Sequence, residues 1–262
     1  MRYVAIGDSF TEGVGDELPD GSARGWADLV AAGLAAASGE PVQYANLAIR
    51  GRLLEPIVTV QLEAALALRP VPTLITLNGG GNDMLRPNTD VDRLVALTSR
   101  AIHRCADEGV RLVLLSGPDP SEGLPFGKMI RRRGEELTVR VRELAVANEL
   151  TFVNMFHDLE IRRPGYWSAD RLHLNAAGHE RVAGMVLATL VGTAPPEANG
   201  AGSPQTRRLL TEARYYWEHV RPWVQRRLRG RSSGDTLTGK HAGWTTTGET
   251  QPHGGGQTTQ SR

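Results

Sequence analysis

Five short apolar runs, at 3–6, 42–45, 73–77, 111–115 and 151–154, alternate along the chain with longer segments of helical periodicity. Each run is rich in Val, Ile, Leu or Thr and too short for a stable helix, so each predicts a buried strand. The segments between them, roughly 25–37, 54–68, 90–108, 131–149 and 176–191, repeat apolar residues every three or four positions, as in Leu94, Leu97, Ala101 and Cys105. Strands joined through helices of that length form right-handed βαβ units and a parallel sheet covered on both faces. The expected class is therefore α/β.

With 262 residues, 40% hydrophobic and 23% charged, the chain suits one globular domain of about 200 residues plus an appendage. We place the domain at 1–192, a Pro/Gly/Ser-containing linker at 193–204, a basic amphipathic segment at 205–231 and a disordered tail at 232–262. A single cysteine, Cys105, excludes an intramolecular disulfide and suits a reducing compartment. Met1-Arg2 runs straight into the first apolar run, and no stretch nears the ~20 apolar residues of a membrane span, so the expected location is cytoplasmic.

Charge is uneven. Residues 1–202 carry 20 Lys and Arg against 25 Asp and Glu, whereas 203–231 carry eight Arg against two Glu. In that basic segment Leu210, Ala213, Trp217, Val220, Val224 and Leu228 have near-helical spacing, which Pro222 interrupts. Three readings stay open: docking on the acidic domain, a peripheral contact with an anionic membrane surface, or non-specific binding of a partner protein or nucleic acid. No specific nucleic-acid partner is expected.

The first apolar run ends in Gly7-Asp8-Ser9-Phe10, which puts a serine hydroxyl at the carboxyl end of the first strand, where open α/β sheets bind ligands. A serine is a weak nucleophile until a base takes its proton. Asp170 and His173 stand three apart in the loop before the last helix, with Asn175 as its expected N-cap. That spacing lets a carboxylate orient an imidazole. Two further loops, Asn46 to Gly51 and Asn78 to Asp83, follow the second and third strands and offer glycine N–H groups and asparagine amides, the donors an oxyanion needs. Each block alone also reads as an ordinary turn. The triple glycine at 79–81 lacks the Lys-Ser/Thr of a phosphate loop, and no histidine pair has metal-ligand spacing.

Taken in order, the four blocks resemble the SGNH hydrolase superfamily, also called the GDSL esterase/lipase family, over roughly residues 2–192. Phe10 stands where the family name has Leu. The resemblance implies Ser9 as nucleophile, His173 as general base and Asp170 as its orienting partner. It implies an oxyanion hole from the Ser9 and Gly51 N–H groups and the Asn82 amide. It also implies a flavodoxin-like three-layer α/β/α sandwich with a five-stranded parallel sheet in the order 2-1-3-4-5. Such chemistry uses no cofactor and no metal.

Asp8, Arg50 and Asp83 are candidate substrate contacts beside those blocks, and His157 with Asp158 follows the fifth strand as a further pocket candidate. The segment 118–128 and residues 50–54 should border the site; their mixed character, with aromatics at only 5% of the chain, points to a small or polar ester. A lysophospholipid or acyl thioester substrate, acyl transfer in place of hydrolysis, and a non-catalytic binding module are the alternatives.

Overall fold

The computed structural model describes residues 1–124, 126–198 and 237–247. Strand β1 (Arg2–Ile6) leads into the one-turn helix α1 (Ser9–Glu12) and then α2 (Trp26–Ser38). Strand β2 (Val42–Asn46) leads into α3 (Leu54–Pro56), a π-helical turn at Ile57–Gln61 and α4 (Leu62–Ala67), which run on as one helical stretch. Next come β3 (Leu74–Asn78) with α5 (Gly81–Met84) and α6 (Val91–Asp107), and β4 (Arg111–Leu115) with α7 (Gly127–Ala147). Strand β5 (Thr151–Val153) precedes a 3₁₀ turn at Pro164–Tyr166 and α8 (Ala176–Val191), and β6 (His241–Thr247) closes the set.

The sheet order is β5-β4-β3-β1-β2-β6. The first five strands are parallel and stand in the expected 2-1-3-4-5 order. Side chains alternate between the faces of a strand, and here both faces are buried. Val4, Ile6, Leu112 and Leu114 pack under α3, α4, α6 and α7. Tyr3, Ala5, Val113 and Leu115 pack under α2 and α8. Each large aliphatic side chain fully buried in this way contributes about 1.5–3 kcal/mol. Asp90 and Asn175 cap α6 and α8 by accepting from the Arg93 and Gly178 N–H groups, both at 3.1 Å.

One expectation is corrected. Composition predicts disorder over 232–262, yet residues 241–247 form β6, antiparallel to β2 with a register shift between Tyr44 and Asn46. An edge strand offers unpaired N–H and C=O groups, and a Trp-Thr-Thr-Thr run has the branched and aromatic side chains that suit a pleated surface. Gly/Thr/Ser/Gln composition averaged over the whole tail conceals that run. Lys240 anchors it, with Nζ 2.5 Å from Asp28 Oδ2 and donating to the Ala23 and Arg24 carbonyls. The basic segment 205–231 lies outside the described residues. Among those described, no helix is long and apolar enough to cross a membrane.

Candidate active site

The central position of β1 puts Gly7, Asp8 and Ser9 at the middle of the carboxyl edge. Asp8 caps α1 by accepting from Phe10 N–H at 3.1 Å, so Ser9 opens the helix. Gly7 has no room for a side chain: a Cβ there would lie 2.8 Å from Thr11 Cβ and 3.0 Å from the Asn78 carbonyl oxygen. The loop before α8 carries the other two groups of the line. His173 Nε2 is 3.1 Å from Ser9 Oγ, and its Nδ1 is 2.6 Å from Asp170 Oδ2. The second Asp170 oxygen accepts the Leu172 and His173 N–H groups, each at 3.0 Å. With the Nδ1 proton held by Asp170, Nε2 is left to accept from the serine hydroxyl. Burial opposes ionisation of Asp170, but the hydrogen bond and charge of His173 and the two N–H groups outweigh it and hold the carboxyl at about 2.

The expected oxyanion groups gather at the same place. Gly51 and Asn82 line a cavity with Ser9 and His173. Gly51 sits at φ 79°, a left-handed conformation that glycine adopts without steric penalty. Its loop is held by Glu12, a buried carboxylate that accepts from Arg50 N–H at 2.6 Å and pairs with the Arg50 guanidinium at 2.5 Å. The Asn82 amide donates to Asp8 Oδ2 at 3.0 Å and to the Arg52 carbonyl at 3.1 Å. Both its hydrogens are therefore engaged, and donation to a substrate oxygen requires one of these bonds to open.

Of the candidate substrate contacts, Asp8 and Arg50 line the cavity and Asp83 does not. The Asp83 carboxylate accepts from Leu54 N–H at 3.0 Å. Asn46 is buried behind the site, donating to the Thr11 carbonyl and the Tyr44 hydroxyl. Of the segment 118–128, Pro118 and Pro120 reach the cavity. His157 lies off the cavity and contacts Glu135 at 2.7 Å, while Asp158 pairs with Arg181 at 2.6 Å.

Burial, reinforced by the charge of Asp8, raises Asp83 to about 6 against the Leu54 N–H that favours the anion. The folded chain then holds this proton more tightly than the unfolded chain. Stability is lost as the pH rises from about 4 through 6, and the loss persists above it. At roughly 1.4 kcal/mol per pKa unit it reaches up to about 3 kcal/mol. Asp83→Asn should therefore melt above wild type at pH 7.5, with the gap closing near pH 4; a gap that does not depend on pH would refute the assignment.

Two groups carry no mark in the sequence that singles them out. Gln61 is buried, and its amide closes a ring on Gly7: Oε1 accepts from Gly7 N–H at 2.8 Å and Nε2 donates to Gly7 O at 2.9 Å. Its place on the π-helical turn aims it at the residue two before the serine. A polar side chain on the stripe of Leu54, Ile57, Val58, Leu62 and Ala65 is the one available signal. His179 is fully buried, accepting from Trp26 N–H and donating to Val14 O, both at 3.2 Å, and burial pushes it down to about 4. Gln61→Leu strands the Gly7 N–H, which costs about 1–3 kcal/mol. The resulting drift of Ser9 should lower kcat up to about 10²-fold with little change in KM; an effect on KM alone would deny Gln61 this positioning role.

The profile of the GDSL-like lipase/acylhydrolase family matches residues 5–181. The chain belongs to that family. Membership makes it an ester hydrolase of the serine type. Solved structures share the fold. A structure of TesA superposes with a TM-score of 0.61 at 23% identity, covering 73% of this chain and 99% of that one. An acetyl-xylooligosaccharide esterase, Axe2, from Geobacillus gives 0.59 at 19% identity, covering 75% and 96%. The esterase EstA from Pseudoalteromonas sp. gives 0.57 at 17% identity, covering 72% and 96%. No curated protein sequence matches this GDSL chain.

Proposed function

We propose that the protein cleaves carboxylic esters through an acyl-enzyme on Ser9. Ser9 Oγ attacks the carbonyl carbon as His173 Nε2 takes the hydroxyl proton. Asp170 stabilises the imidazolium without accepting the proton itself. The oxyanion is met by the N–H groups of Ser9 and Gly51 and by the Asn82 amide, which exchanges its bond to the Arg52 carbonyl for the more basic oxygen. His173 returns the proton to the departing alcohol, then activates a water that frees the acid and restores Ser9. The observation that carries this reading is the unbroken line from Ser9 through His173 to Asp170 at 3.1 and 2.6 Å, with Ser9 and His173 on a cavity wall.

The mouth of the cavity supports a small or polar alcohol portion. Asp8 and Arg50 stand on its wall beside the Asn82 amide, and the Arg50 guanidinium is partly exposed. Hydrolysis of p-nitrophenyl acetate, butyrate and octanoate by wild type and Ser9→Ala tests the proposal. Turnover that depends on Ser9 supports it, and equal rates in the two proteins overturn it.

A further inference from the structure

The cavity does not end at Ser9. It encloses about 320 Å³ and continues past Leu77 and Leu114 on the sheet to Leu137 and Val141 of α7, Thr98 of α6 and Phe152 of β5. Val141 stands well down α7 from Gly127, roughly 20 Å along the axis at 1.5 Å per residue. Of the polar lining, Asn78, Ser116 and Arg86 belong to the strand ends and loops at the sheet edge, and the hydroxyls of Thr98 and Thr138 are the polar groups that α6 and α7 add. Deeper in, Thr98 satisfies its own hydroxyl on the Leu94 carbonyl at 3.0 Å and demands no polar partner.

Close-packed interiors carry few voids larger than a water molecule, and an unfilled apolar space forfeits dispersion contacts along its whole lining. A cavity of this size opening onto a nucleophile is room for a ligand. The two sides of the sheet separate the substrate's halves. His173, which must protonate the leaving oxygen, comes from the loop before α8 on one face; the apolar passage runs under α6 and α7 on the other.

We infer that this passage is an acyl-chain channel, so that the preferred substrates are esters of unbranched medium-chain acids. The inference rests on the Ser9 reading and revises, for the acyl half, the expectation of a small or polar ester. A passage lined from Ser9 as far as Val141 and Phe152 gives room for a chain well beyond an acetyl group. The optimum therefore falls at a medium chain length, with Val141 and Phe152 at the far end of the passage.

The test is a series of p-nitrophenyl esters from two to fourteen carbons, with wild type and Val141→Trp. In wild type kcat/KM should climb by roughly twofold to fourfold per methylene up to the optimum, then fall by fourteen carbons. Val141→Trp should move the optimum to a shorter chain and cut the octanoate-to-acetate ratio by at least about tenfold, since several methylenes lose their site. Thr98→Leu, which fills the same region, replaces it if that variant does not fold. A flat profile in wild type, or an unmoved optimum in a folded plugged variant, overturns the channel.

Binding separates this claim from the chemistry. Ser9→Ala should bind uncharged methyl octanoate at least about twentyfold more tightly than methyl butyrate, read by calorimetry. That preference without Ser9-dependent turnover would keep the channel and remove the serine mechanism. Ser9-dependent acetate turnover without it would do the reverse.

Discussion

Ser9→Ala lowers ester turnover by at least about 10⁴-fold and leaves a folded protein. The size of the effect follows from the route: without Oγ no acyl-enzyme forms, and only the oxyanion donors and substrate binding remain to assist water. The fold survives because the Ser9 side chain is only half-buried and its Oγ makes its hydrogen bond to His173 in a loop. The α1 cap depends on Asp8 rather than on the serine. Steady-state kinetics on p-nitrophenyl acetate, with a thermal melt of the same preparation, measure both halves. Residual activity within tenfold of wild type in a folded variant would place the nucleophile elsewhere.

Asp170→Asn comes next, with an expected loss of about 10³–10⁴ in kcat. An amide in place of the carboxylate cannot stabilise an imidazolium, and its NH₂ turned toward Nδ1 favours the tautomer that carries the proton on Nε2, where Ser9 needs an acceptor. KM should move little, since Asp170 stands behind His173 rather than on the cavity wall. The same residue links the site to acid stability. Its folded-state carboxyl lies at about 2, below the ordinary 3.8. Its contribution is thus complete above about pH 4 and is lost as the pH falls toward 2. The variant should show a smaller drop in melting temperature over that interval than wild type. Equal acid sensitivity would mean that the ionised carboxylate contributes nothing to folding.

Both residues are legible in the sequence because their signals are local. Ser9 follows a strand in which four of five residues are buried, and Asp170, His173 and Asn175 share a few residues before a helix, so periodicity and capping place them in the fold and the order of the blocks carries the resemblance that implies their roles. The oxyanion loops are legible through their positions after β2 and β3. Asp83 is not: its carboxylate turns away from the cavity to Leu54 N–H, and nothing in Asn82-Asp83 says which side chain faces the pocket. The sequence points to a small or polar substrate because only the loops at the sheet edge can be assigned to the site from it, and those loops are mixed.

By itself, the sequence determined the alternation of strands and helices and the α/β class, and its four ordered blocks carried the family resemblance that implies the Ser9, His173 and Asp170 line. The class rests on hydrophobic period and the Asp170-His173 pair on a spacing of three, whereas Ser9 meets His173 only across 164 residues of chain. Tertiary structure alone decided the Gln61 ring on Gly7, the Glu12 carboxylate under Arg50, the pairing of β6 with β2 and the depth of the cavity between α6, α7 and the sheet. Gln61 and Gly7 are 54 residues apart in sequence. The partner of each such group is chosen by how distant elements pack, and the cavity by where their side chains fail to meet, neither of which is written in any one stretch of the chain.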